Sequence, residues 1–323
     1  MQRPMQKIFI NDFGRLRSGW RLLLFVVGFI LCTIILGSVV WVLSQMTPIF
    51  PQRQFVLEVI YRGGLLVAAL GLGYLLARQI EDLPWRSLGL TLHQGWFRDL
   101  LVGSAIGFAA LVVAVAIAMT AKGLSFSFNN AGVGSIIKSL VGSAVLFILA
   151  ALAEEAMFRG YPLQTLARAR LASLGVLLTL ILFGMVHVNN PNAVPGVTFA
   201  NTALAGLWLA VAYLRTRSLW LPLGVHWSWN WALGSFFGLP VSGMKIVSNP
   251  ALTAVDNGPF WLTGGSYGIE GGLACTIALV LTTIFLWQTK LISATPELLK
   301  LTSEENPKTP EPVLTIRAEE DPA

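Results

Sequence analysis

Charge is scarce in this chain. Lys, Arg, Asp and Glu make up 12% of its 323 residues, where soluble domains carry about a quarter. With 55% hydrophobic residues and a mean hydropathy of +0.69, a pair of ordinary soluble domains is excluded. Cysteine is scarcer still. Cys32 and Cys275 both lie in apolar runs without polar neighbours, which excludes a disulfide framework and a thiolate metal site and leaves two small packing residues. Histidine occurs three times, at His93, His187 and His226. None stands in an H-E-x-x-H pattern, so the helical zinc-protease signature is absent. The net charge of +6 is spread over the ends of apolar segments, as orientation signals are. No nucleic-acid partner is expected.

Long apolar runs are what the chain has instead. A membrane span needs roughly 20 predominantly apolar residues. Eight candidates stand at 22–45, 56–78, 100–121, 137–158, 171–189, 196–214, 218–237 and 270–289. Backbone groups in lipid must be satisfied within their own segment, so each run is expected to be a helix. The expected fold is an all-α, polytopic transmembrane helical bundle of about eight helices, without internal repeats. Lys and Arg recur in alternate loops, from the leader through Arg78, Arg86 and Arg98 to Arg215 and Arg217. That bias puts both termini in the cytoplasm.

Three regions follow. Residues 1–21 form a basic leader in which Ile8, Ile10, Phe13, Leu16 and Trp20 interleave with charge; an interfacial helix and a plain positive flank are both open readings. Residues 22–290 form one membrane-embedded domain. Residues 291–323 turn rich in Glu, Pro, Thr and Lys, and a disordered cytoplasmic tail is expected. Within the domain, 239–267 is a long irregular loop on the outer side, either a lid or a plain connection.

Polar residues inside the apolar runs carry the chemistry. Glu154, Glu155 and Arg159 sit together in the fourth run, and charge at that depth marks a functional site by default. Glu155 and Arg159 are four apart, on one helix face, in the favourable order for a self-neutralising pair. Glu154 is turned about 100° away and has no local partner. His187 lies near the end of the fifth run. His226 and Asn230 lie four apart in the seventh, again on one face. Gly184 and Gly224 permit close helix approach there. His93 falls in a loop and reads as a surface residue.

One unpaired carboxylate, two imidazoles and a carboxamide suit hydrolysis of a peptide bond. Glu154 serves as general base on a water. His187 positions that water or shares its proton. His226 and Asn230 donate hydrogen bonds to the developing oxyanion. No G-x-S-x-G motif is expected, neither cysteine has a histidine near it in sequence, and no serine or cysteine nucleophile is expected.

The three patterns Glu154-Glu155-x-x-x-Arg159, Phe183-x-x-x-His187 and His226-x-x-x-Asn230, in this order on hydrophobic helices, resemble the motifs of the CPBP family. That family comprises the type II CAAX prenyl proteases and the bacteriocin-processing membrane proteases, also called the Abi family. The resemblance covers roughly 130–240 and, loosely, the whole membrane region. It implies an intramembrane endopeptidase acting on membrane-associated or prenylated, CAAX-type proteins or peptides. It makes 22–290 a CPBP-type protease domain in the bacterial cell membrane. It assigns Glu154 as base, His187 to the water, His226 and Asn230 to the oxyanion, and Glu155 and Arg159 as a supporting pair. The expected partners are membrane lipids and a peptide or membrane-protein substrate. The expected chemistry is metal-free; the alternative is one zinc ion on Glu154, His187 and His226.

Two readings from other classes compete. One is a non-catalytic scaffold or bacteriocin self-immunity protein with a structural polar core. The other is a transporter, for which repeats and broken helices would be expected. Two lesser features remain. Glu58 and Arg62 are four apart in the second run and read as a self-neutralising pair near the outer interface, with a role lining the cavity as the alternative. Trp220 reads as an interfacial belt residue, while Trp227 and Trp231 are candidates to wall a cavity.

Overall fold

The computed structural model describes residues 6–46 and 53–305. All eight apolar runs are helical. Helices α1 (Ser18–Met46), α2 (Arg53–Glu81) and α3 (Trp96–Thr120) come first. Strand β1 (Leu124–Phe128) precedes α4 (Val133–Glu155), which passes through a π-helical turn, Ala156–Gly160, into α5 (Tyr161–Arg168). Helices α6 (Ala172–Met185), α7 (Val197–Thr216) and α8 (Trp220–Trp231) follow, the last continuing as a second π-helical turn, Ala232–Phe236. Strand β2 (Leu252–Asp256), α9 (Leu273–Gln288) and α10 (Pro296–Ser303) complete the order.

Five of these segments are long and apolar enough to cross a membrane: α1, α2, α3, the unit Val133–Arg168 and α7. Helices α6 and α9 are apolar but shorter. The expected eight runs therefore hold in position, and five reach full span length. Along α1, Leu23, Val27, Ile30, Leu31, Ile34 and Ile35 face outward. An apolar face of that extent has no place in water and suits lipid.

The core lies between α3, α4, α7, α8 and α9, with a second cluster joining α1, α2 and α5. Helices α3 and α8 touch backbone to backbone. A Cβ on Gly107 would stand 2.1 Å from the Val225 carbonyl oxygen, and one on Gly224 would stand 2.2 Å from that of Leu100. Only glycine allows this approach. It fixes the rotation of α8, and with it the side on which His226 emerges.

The outer loop is less irregular than its composition suggests. β2 pairs antiparallel with β1, from Leu124↔Asp256 to Phe128↔Leu252. That small sheet ties the loop to the α3–α4 connection.

At the other end, Arg15 and Arg21 of the leader and Glu305 of the tail are bound into the bundle. Arg21 is fully buried, and its Nη1 lies 2.8 Å from both Glu81 and Glu305. Arg168 also contacts Glu81, and Arg15 reaches Asp82 at 3.0 Å. Stripping one partner from a buried ion pair costs about 3–5 kcal/mol, so Glu305 belongs to the folded body. The expected tail is thus helical at Pro296–Ser303 and anchored at Glu305; 306–323 lie outside the described residues. The leader is not one interfacial helix. A four-residue helix, Gln6–Phe9, leads into a turn closed by the Ile10↔Leu16 bridge. Ile8, Phe13 and Trp20 remain exposed beside Lys7 and Arg17.

Candidate active site

The C-terminal end of α4 carries both glutamates, and the π-helical turn that follows carries Arg159. Such turns recur where a helix must re-aim side chains for function. Glu155 is completely buried. Its Oε1 accepts from Arg159 Nη1 at 3.1 Å, so the expected pair forms. The same oxygen meets His226 Nδ1 at 2.9 Å. Arg159 Nη2 donates to the Gly206 carbonyl of α7 at 3.0 Å, and its guanidinium lies 4.7 Å from the Phe183 ring centre, within cation–π range. One buried unit therefore links α4, α6, α7 and α8.

That unit sets the chemistry of His226. A carboxylate oxygen can only accept, so Nδ1 carries a proton and donates to Glu155. Nε2 is then the nitrogen left facing Glu154. It lies 3.7 Å from Glu154 Oε2. His187 is arranged in the same way by different means: its Nδ1 donates to the Phe183 carbonyl of its own helix at 2.7 Å, which again frees Nε2. The Phe183 ring neighbours both imidazoles, 4.9 Å from His187 and 6.0 Å from His226 between ring centres.

Glu154, His187, His226 and Asn230 all line one cavity of about 590 Å³. The structure brings the four candidates to one space, with Glu155 and Arg159 behind it. The Asn230 side chain makes no hydrogen bond to the protein among the described residues, which leaves its carboxamide for a bound group. The cavity wall is mostly apolar, as ligand sites are, with Phe29, Ile30 and Ile34 of α1 on one side.

Two charged residues join this site beyond the six candidates. Arg62 of α2 lines the cavity, and its Nη1 lies 3.6 Å from Glu154 Oε1. Glu154 is therefore not without a partner, and the Glu58–Arg62 pair is not merely a surface feature. Glu270 also lines the cavity. It stands in a short 3₁₀ turn, Ile269–Gly271, rather than in α9. Its carboxylate accepts from Trp229 Nε1 at 3.0 Å and from the Ser242 amide at 2.5 Å. Burial lifts Glu270 above the usual carboxylate range, against the pull of those two donors. Through Ser242 it pins the loop stretch Val241–Met244, of which Val241, Ser242 and Met244 line the cavity.

Other expectations are corrected. Trp227 and Trp231 do not wall the cavity: their indole N–H groups bond the Ala144 and Leu140 carbonyls of α4, at 3.2 and 3.0 Å. Trp208 and Trp229 line it instead. The His93 side chain is 5% exposed and reaches Ser218 Oγ at 3.2 Å, so it is not a surface residue. The chain holds one G-x-S-x-G spacing, Gly264-Gly265-Ser266-Tyr267-Gly268. It forms 3₁₀ turns with positive φ at all three glycines, not a strand-to-helix nucleophile elbow.

A zinc ion would draw on the same side chains. Among the described residues no three His, Cys, Asp or Glu side chains stand close enough to hold a metal ion. A tetrahedral site would need Glu154 and both Nε2 atoms within about 2.2 Å of one point.

The sequence profile of the type II CAAX prenyl endopeptidase Rce1-like family matches residues 136–232. The matched stretch contains all six candidate residues. The chain is 26% identical over 223 residues to the uncharacterized protein YyaK of Bacillus subtilis (strain 168), covering 67% of this chain and 71% of that one. It is 32% identical over 155 residues to an uncharacterized 24.3 kDa protein of Escherichia coli, covering 45% of this chain and 67% of that one. No solved structure matches. The chain belongs to the Rce1-like family, within the CPBP proteases, and its apolar helices make it a multi-pass membrane protein.

Proposed function

We propose that this Rce1-like protein is a metal-independent intramembrane endopeptidase that hydrolyses peptide bonds of membrane-associated, CAAX-type proteins or peptides. The observation that carries the reading is the approach of Glu154 to His226 Nε2 at 3.7 Å, in a cavity shared with His187 and Asn230. A gap of that size is too long for a direct hydrogen bond and is the kind of polar separation a water bridges.

In this mechanism Glu154 takes a proton from the water as its oxygen attacks the scissile carbonyl carbon. His187, with Nε2 free, holds the water in line. The carbonyl oxygen becomes an oxyanion, and donors at His226 Nε2 and the Asn230 carboxamide stabilise it. His226 donates there when its ring carries two protons, and Glu155 behind Nδ1 stabilises that charge, as a buried carboxylate does for a triad histidine. Collapse of the tetrahedral intermediate breaks the C–N bond. Glu154 then returns its proton to the leaving amine. General base catalysis contributes about 10²–10⁴-fold, and each oxyanion donor a further 10²–10³-fold or so.

The α1 wall offers a route for substrate. Ile30 and Ile34 line the cavity and also face outward, so its apolar wall continues into the lipid-facing surface. That continuity suits a substrate that arrives within the bilayer. The bacterial origin of both relatives supports the cell membrane of a bacterium as its location.

The test is cleavage of lipid-anchored peptides by the purified protein in liposomes, with and without a chelator. Equal rates in both are expected. Loss of cleavage on chelation, restored by zinc, would contradict the metal-free mechanism.

A further inference from the structure

Arg62 has no part in the mechanism above, yet its guanidinium stands in the active cavity. It comes from α2, a different helix from any candidate catalytic residue. Its Nε donates to Glu58 Oε1 at 2.7 Å, which fixes the plane of the group from behind. Its Nη1 lies 3.6 Å from Glu154 Oε1, while the other oxygen of that carboxylate faces His226. Glu154 is thus flanked on one oxygen by a permanent cation and on the other by an imidazole.

The distances decide what this arrangement can do. At 3.6 Å the contact exceeds hydrogen-bond length, so Arg62 does not lock the carboxylate in a bidentate pair. The Coulomb attraction at that range remains strong where water is sparse. Arginine does not lose its proton in a protein, so the field on Glu154 is constant through the catalytic cycle. The side chains grow more sheltered along the chain, from 41% exposed at Glu58 to 25% at Arg62 and 19% at Glu154. Glu58 thereby anchors the cation from the open side without competing for Glu154. The other charged groups around the base are its own helix's Glu155–Arg159 pair and the imidazoles of His226 and His187; Glu155 already holds Arg159, so Arg62 is the cation left to face Glu154.

We propose that Arg62 is a positioning residue for the hydrolytic reaction: it keeps Glu154 ionised and turned toward His226 between turnovers, with Glu58 holding the guanidinium in place. The proposal rests on the reading of Glu154 as general base.

The experiment compares wild type with Arg62→Gln, Arg62→Lys, Glu58→Gln and Glu154→Gln, each in liposomes with a quenched-fluorescence, lipid-anchored peptide. Melting temperature is measured alongside. Arg62→Gln is expected to lower kcat by about 10–100-fold, the range for a misaimed catalytic group, with KM nearly unchanged. Arg62→Lys restores most of the loss, because it keeps the charge. Glu58→Gln costs only a few-fold. Three results overturn the proposal. One is a rise in KM at constant kcat, which makes Arg62 a substrate anchor. Another is full activity in Arg62→Gln. The third is a lysine variant no better than glutamine with both equally destabilised, which makes Arg62 structural. Should Arg62→Gln fail to fold, the proposal still stands or falls on whether Arg62→Lys is active and Glu58→Gln is impaired. Full activity of Glu154→Gln would instead remove the base reading itself, whatever Arg62 does.

Discussion

Glu154→Gln abolishes peptide hydrolysis while the protein remains folded. Glutamine keeps the size and the hydrogen-bonding reach of the side chain but cannot take a proton from water. The expected loss in kcat is about 10²–10⁴-fold, and the melting temperature is expected to stay near that of wild type. Stability is spared because, among the described residues, the oxygens of Glu154 make two long ion-pair contacts, 3.6 Å to Arg62 and 3.7 Å to His226. Turnover measured on liposome-embedded protein, next to a thermal melt, separates the two effects. A fully active Glu154→Gln would favour the scaffold or immunity reading, in which the polar core serves structure alone.

Arg159→Met has the opposite signature. Both Arg159 and Glu155 are fully buried, and the substitution leaves the Glu155 charge with His226 as its remaining partner. Breaking one side of a buried ion pair costs about 3–5 kcal/mol. A large fall in melting temperature is expected, with loss of activity. The informative variant is the double one, Glu155→Leu with Arg159→Met. Replacing both partners by apolar side chains of similar volume is often neutral for stability, so the double variant regains the melting temperature. It does not regain hydrolysis, because His226 Nδ1 has lost the acceptor that sets its tautomer. Recovery of both together would mean that the Glu155 contact to His226, 2.9 Å in length, has no bearing on the reaction.

Much of the architecture was legible because lipid imposes a local rule. Each apolar run must bond its own backbone, so all eight could be read as helices one at a time. The faces of those helices were legible for the same reason: Glu155 with Arg159, and His226 with Asn230, are pairs set by helical period. What the sequence hid was which helix meets which. Period places Glu154 away from Glu155, but nothing local says that Arg62, on another helix, faces it. The link from Glu155 to His226 was hidden in the same way. Glu270 was missed because it abuts the last apolar run and read as part of that span. Its flanks, Gly268, Gly271 and Gly272, were the available signal that the helix starts after it. The anchored start of the tail was missed because composition averages over a segment, whereas a single carboxylate, Glu305, finds the buried Arg21. The two π-helical turns left no mark in the sequence, and one of them carries Arg159.

The most direct test of the hydrolytic account is a single-turnover reaction in ¹⁸O-enriched water, followed by mass spectrometry of both product and protein. If Glu154 delivers a water to the scissile bond, one ¹⁸O enters the new C-terminal carboxylate and none enters Glu154. Label in Glu154 would mean that the carboxylate itself attacks the carbonyl, and an uncleaved peptide would mean that the cavity does no hydrolysis; either result contradicts the account.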